Sequence, residues 1–135
     1  MTIDLAKLNF TFHHKPLLIG GKAMEYYGMR KAGDDIDFVV AADDHKRLVT
    51  QYPEHIKDLY GDIGVIEYEF EIWNTICTFD YEHLKQEAIE ESDYLVVSIE
   101  KLLMLKAIAI KADEKYLRDV ELIGDYVRNK AYEKL

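Results

Sequence analysis

The apolar run Leu17-Leu18-Ile19 stops at Gly20-Gly21, and Lys22-Ala23-Met24-Glu25-Tyr26-Tyr27 then carries helix-forming residues up to Gly28. A short apolar run closed by glycines reads as a buried strand, and the sequence after it as a helix. The spacing predicts a strand over 15–19, a tight glycine turn and a helix over 22–27. A strand feeding directly into a helix commits the chain to packing helices on a sheet, because each element must bury its apolar side against the other. A second strand is predicted over 35–41, where β-branched residues follow Asp35-Ile36-Asp37.

Asp35-Ile36-Asp37 carries the chemistry. Residues i and i+2 of a strand point to the same side, so both carboxylates are expected to face one pocket while Ile36 and Phe38 face the core. Neighbouring anions raise each other's pKa unless a cation neutralises them, and Mg²⁺ between carboxylates and a phosphate is one arrangement that does so. A solvated strand edge in an acidic protein is the plainer reading. Gly20-Gly21 adds to the first reading, since bare N–H groups at a helix start can approach a phosphate, and the connecting loop holds Arg30 and Lys31.

The remaining pattern predicts a mixed α/β chain with helices concentrated towards its end. A helix is expected from an Asp43 or Asp44 cap towards Lys57, interrupted near Pro53. Alternation over 65–72 predicts one half-buried strand, with Ile66, Tyr68, Phe70 and Ile72 on one face and Glu67, Glu69 and Glu71 on the other. Residues 73–79 continue that strand or pair with it. Asp80 is expected to cap a helix to about residue 90. A short strand over 94–97 follows, then a helix from Ser98 to about 112. The last helix, over 115–130, places Leu117, Val120, Ile123 and Val127 near one stripe.

With 135 residues, 49 % hydrophobic and 32 % charged, the chain is expected to form one domain over 1–135 with a real core, excluding disordered and collagen-like classes. The 17 basic and 26 acidic side chains give a net charge of -9, which argues against a module that coats nucleic acid. Leu102 to Ile110 is short and interrupted by Lys106, and the N-terminus has no signal-peptide pattern, so a cytoplasmic protein with no membrane partner is expected. The lone Cys77 lies in an apolar stretch and is expected to be a buried thiol without a disulfide or zinc partner. His13 and His14 are adjacent, so on an extended segment they cannot easily share a metal.

Leu17-Leu18-Ile19-Gly20-Gly21 and Asp35-Ile36-Asp37-Phe38-Val39-Val40 resemble, in order and spacing, the polymerase-β-like nucleotidyltransferase superfamily, and within it the small bacterial proteins related to AbiEii-type toxins. The resemblance implies the nucleotidyltransferase fold, a small mixed sheet flanked by helices with a helical C-terminal part. It implies an enzyme that binds a nucleoside triphosphate with Mg²⁺ or Mn²⁺ and transfers a nucleoside monophosphate to an acceptor, with tRNA, a protein hydroxyl and a small antibiotic all open. By resemblance Asp35, Asp37 and Glu71 would be the catalytic, metal-holding acids, with Glu71 standing where aspartate is usual and Asp80 as runner-up. Gly20, Gly21, Lys22, Arg30, Lys31 and Lys106 would hold the nucleotide. Lys31 and Gly33 replace the family's arginine and threonine, with Arg30 one place early. Lys106 either snorkels to solvent or is held for a phosphate or carboxylate, and Asp119 could pair with Lys106 or Arg118. These departures also fit a catalytically weak or inactive partner protein, for example of a toxin–antitoxin pair, or a nucleotide sensor.

Overall fold

The computed structural model describes residues 1–133. The architecture is mixed α/β. Strand β1 (Leu17–Ile19) runs straight into α1 (Gly20–Tyr26), and β2 (Ile36–Val39) returns antiparallel beside β1. After α2 (Ala42–Gln51) come β3 (Ile56–Leu59), β4 (Asp62–Glu67) and β5 (Phe70–Trp73). A small ribbon of β6 (Thr75–Ile76) and β7 (Phe79–Asp80) leads into α3 (Tyr81–Leu84). Then follow β8 (Ile89–Glu90), β9 (Leu95–Val96), α4 (Ile99–Ala109) and α5 (Tyr116–Tyr132). Seven strands form one sheet in the order β3-β4-β5-β2-β1-β9-β8. Strands β2 and β5, and β1 and β9, are parallel, and the other neighbours are antiparallel.

The central strands are the most apolar part of the chain because they are covered on both faces. Leu17, Leu18, Phe38, Phe70, Ile72 and Val96 are fully buried in one cluster with Leu102 of α4 and Ile123 of α5. The Phe38 and Phe70 rings lie 6.3 Å apart, and each such side chain removed from water contributes about 1.5–3 kcal/mol. Ser98 caps α4 as its position implies, accepting the Lys101 N–H at 3.2 Å. Helices α1 and α4 pack together, and α5 packs on α4. Among the described residues no helix is long and apolar enough to cross a membrane.

Several expected elements come out differently. The helix expected towards Lys57 ends at Gln51, before Pro53, and Lys57 lies in β3. That strand turns into β4 at Tyr60 and Gly61, both with positive φ, the geometry of a tight hairpin. Neither Asp43 nor Asp44 caps α2, whose cap is Ala41. Instead the fully buried Asp44 accepts the backbone N–H groups of His13 and His14 at 2.9 and 3.0 Å, pinning the N-terminal segment.

The single strand expected over 65–72 is a hairpin. Tyr68 has φ 53°, and Glu67 pairs with Phe70 across a two-residue turn. The turn reverses the parity of the alternation, so Val65 joins Ile72 in the core while Ile66 pairs with Glu71 on the other face. The expected row of three glutamates is thereby broken up: Glu69 binds Lys7 at 2.8 Å and Glu67 binds His55.

Asp80 does cap α3, accepting the His83 N–H at 2.9 Å, but that helix stops at Leu84 rather than near residue 90. Cys77 is exposed, contrary to expectation, because it turns the β6–β7 ribbon with φ 50°. On α5 the expected stripe is divided, with Ile123 buried and Leu117 and Val127 left 51 % and 47 % exposed.

Candidate active site

Register places the central acids. Asp37 of β2 is the partner of Glu71 on β5 and of Ile19 on β1. Because Phe38, Phe70 and Ile72 face the core, Asp37 and Glu71 emerge together on the opposite face. They line a cavity of about 330 Å³ with Lys57, Trp73, Lys106 and Tyr116. Helix α4 covers that face and contributes Leu102, Leu105 and Lys106.

Two glycines make the arrangement possible. Gly20, the first residue of α1, has φ +67°, and a Cβ there would stand 2.6 Å from the Asp37 Oδ2. Glycine is therefore required by its backbone conformation and by the closeness of the carboxylate. Gly64 lies across from Trp73, and a Cβ at Gly64 would meet the indole ring at 3.0 Å. The bare backbone of β4 lets the indole lie over it and form one wall of the cavity.

The carboxyl of Asp37 is pushed up from its ordinary value to about 8. Burial is the main cause, followed by the hydrogen bond and charge of Glu71 and then the charge of Asp35, with Lys106 acting in the opposite sense. Two carboxyl groups in one low-dielectric wall cannot both ionise cheaply without a cation, so Asp37 keeps a proton near neutral pH.

Lys106 is 6 % exposed and does not snorkel out. Its Nζ sits 2.9 Å from Asp119 and 4.9 Å from the centre of the Tyr116 ring. Asp119, itself 5 % exposed, also accepts two hydrogen bonds from Arg30, Nε at 2.6 Å and Nη2 at 2.9 Å. Burial opposes ionisation of Asp119, but the bonds from Arg30 and Lys106 outweigh it and hold its carboxyl below the usual range. Asp119 therefore orients two cations, one of them lining the cavity. Arg118, the other cation that the sequence offers Asp119, instead meets Glu121 at 3.5 Å.

The structure brings together only part of the set expected from sequence. Asp37, Glu71, Gly20 and Lys106 meet at the cavity. Asp35 precedes β2, is exposed, and reaches the site only through its charge on Asp37. Gly21 lies beside the Arg30 guanidinium, where an added Cβ would be 3.5 Å from Nη2. Lys22 and Lys31 are electrostatic neighbours of Glu25, whose carboxylate accepts the Ala32 N–H at 2.9 Å. Asp80 is the cap of α3 and lines a different cavity, of about 420 Å³, with His14 and Asp43.

Among the cavity residues that the sequence does not single out are Lys57, Trp73 and Tyr116. Lys57 was hidden inside an expected helix, and the only signal for its strand was the pairing of apolar Ile56 and Leu59 with a Tyr60-Gly61 turn. Trp73 and Tyr116 carried no local signal.

His13, Asp43 and Asp44 have ligand atoms mutually within 4.8 Å. Asp44 is already occupied there by two backbone amides and the Arg47 guanidinium, so this group ties the N-terminal segment to α2. Among known proteins, no family model, no curated protein and no solved structure matches this chain.

Proposed function

We propose that the cavity is a nucleotidyltransferase-type site that binds a nucleoside triphosphate with a divalent cation and transfers its nucleoside monophosphate. The observation carrying this reading is the register pairing of Asp37 with Glu71 beside Gly20. The donor set suits a hard cation: two carboxyl groups share one wall, and burial followed by the neighbouring Glu71 keeps one of them protonated near neutral pH. Asp37 and Glu71 would hold Mg²⁺ or Mn²⁺, with Asp35 adding charge from the rim. The cation would supply charge neutralisation and Lewis acidity at the phosphates.

The chain's own groups have distinct tasks in this reading. Lys106, held at a fixed place by Asp119, offers positive charge to a phosphate oxygen, and Lys57 in the same lining offers a second. Trp73 and Tyr116 supply flat apolar surface for a base or an aromatic acceptor. The acceptor hydroxyl oxygen bonds to the α-phosphorus, the bond to the bridging oxygen breaks, and pyrophosphate leaves. Glu71 takes the hydroxyl proton. The uncapped first amides of α1, at Gly20 and Gly21, would meet the terminal phosphates.

One observation favours a second reading, a binding protein on the same scaffold that transfers nothing, such as one half of a toxin–antitoxin pair. Arg30, the loop cation nearest Gly21, is fully engaged by Asp119. Labelled nucleoside triphosphates with Mg²⁺ or Mn²⁺ and tRNA, protein and aminoglycoside acceptors separate the two. Metal-dependent label transfer that disappears in both Asp37→Asn and Glu71→Gln supports the enzyme. Nucleotide binding without product in the native chain supports the silent partner.

A further inference from the structure

Helix α5 buries one face, centred on Asp119 and Ile123, against α4, with Ile123 in the hydrophobic core. Leu117, Val120, Gly124, Val127 and Ala131 recur at helical spacing beside that face, and among them Leu117, Gly124, Val127 and Ala131 are exposed. Gly124 is the telling residue. Glycine in the interior of an exposed helix lowers helix stability, and here a Cβ would meet no atom within 4 Å, so nothing inside the chain requires it. A bare backbone between two exposed branched aliphatic residues is what close approach of another helix uses.

The charges say which helix. With Asp119 buried against Arg30 and Lys106, the exposed charges of Tyr116–Tyr132 are Arg118, Arg128 and Lys130 against Glu121 and Asp125, so this surface carries a single net positive charge within a chain of net charge -9. Two copies can meet along this helix without the repulsion that the chain's overall negative charge would otherwise bring. Glu121 and Arg128 lie along the outer flank of the stripe, on either side of Gly124. When two α5 helices run antiparallel about a two-fold axis at Gly124, Glu121 of each copy stands opposite Arg128 of the other. Among the described residues of one copy these two groups have only weak exposed partners, Arg118 at 3.5 Å from Glu121 and the Tyr132 ring at 5.3 Å from Arg128. Val127 also borders an open groove of about 470 Å³, which leaves room for a partner side chain.

We infer that α5 is a self-association surface: two copies of this chain pair antiparallel through Leu117, Val120, Gly124, Val127 and Ala131, with reciprocal Glu121–Arg128 contacts. This inference does not depend on the proposed catalytic function. A one-helix seam is small, so the dimer is reversible and depends on concentration.

Sedimentation equilibrium of the native chain between about 1 μM and 1 mM is expected to show the mass rising from 15.8 kDa towards twice that value. A constant monomer over the whole range overturns the inference. Gly124→Glu sets two carboxylates against each other at the axis while improving helix propensity, and its Cβ meets no atom within 4 Å. It is expected to be monomeric with unchanged far-ultraviolet circular dichroism, and a Gly124→Glu protein that still dimerises overturns the assignment. Glu121→Arg is expected to weaken the dimer about tenfold, and the double exchange Glu121→Arg/Arg128→Glu to restore it. An exchanged protein no tighter than the single variant overturns the antiparallel arrangement.

Discussion

Asp37 on β2 and Glu71 on β5 are register partners across two parallel strands, and they set two carboxyl groups side by side on one wall of a cavity. The placement by itself is costly. Asp37 keeps its proton to about pH 8, whereas in an unfolded chain it loses it near 3.8. Between those values the folded protein holds a proton that the unfolded chain has released, so stability falls as pH rises through this window.

Asp37→Asn is expected to remove that dependence. The variant should unfold several degrees above the native protein at about pH 8.5 and close to it at about pH 4, a difference of roughly 1–3 kcal/mol. Calorimetric melts across the pH range measure it. A native protein that gains stability towards pH 8.5 relative to the variant would count against a shared proton.

A divalent cation should displace that proton. With Mg²⁺ and a nucleoside triphosphate at about pH 7, binding is expected to release close to one proton per site and to raise the melting temperature. Titration calorimetry in buffers of different ionisation enthalpy reads the proton count. Asp37→Asn should bind more weakly and without releasing it, and equal release by both proteins would place the metal elsewhere.

Asp119 holds Arg30 and Lys106 at once, so Asp119→Asn leaves two cations in a partly desolvated place. A loss of about 2–4 kcal/mol is expected from urea unfolding, more than Lys106→Met causes, because methionine keeps the packing and removes a charge along with its partner's demand. The carboxyl of Asp119 is depressed, so its contribution is present above the ordinary carboxylate range and is lost as pH falls through the depressed value. The gap between native and Asp119→Asn proteins should therefore narrow in acid.

Gly20→Ala must absorb both a positive φ and a Cβ 2.6 Å from the Asp37 carboxylate, and it is expected to cost about 1–3 kcal/mol and to shift Asp37. Gly64→Ala meets the edge of an indole at 3.0 Å, which can tilt, and should cost less. Thermal melts rank the two, and an Asp37 resonance unchanged in Gly20→Ala would show that the carboxylate is not confined there.

Cys77 turns an exposed ribbon, so a thiol reagent is expected to label the native protein at about the rate of an unfolded control. Labelling that requires denaturant would return Cys77 to the buried role that its apolar neighbours suggest.

Local sequence determined the elements whose cause is local. Leu17-Leu18-Ile19 before two glycines specified β1 and α1, Ser98 specified the start of α4, and Asp80 the start of α3. Placing Asp37 and Glu71 on a polar strand face followed from the two-residue period around Phe38 and Ile72. Tertiary structure decided the rest. Alternation over 65–72 looks the same whether the chain continues or folds back, and only pairing with β2 and β3 made Tyr68 a turn. Nothing near Arg30 announces Asp119, and nothing near Asp37 announces Lys57 or Trp73. Periodicity reports which side of an element a residue takes, whereas the partner that meets it depends on strand order and helix packing, which bring distant segments together.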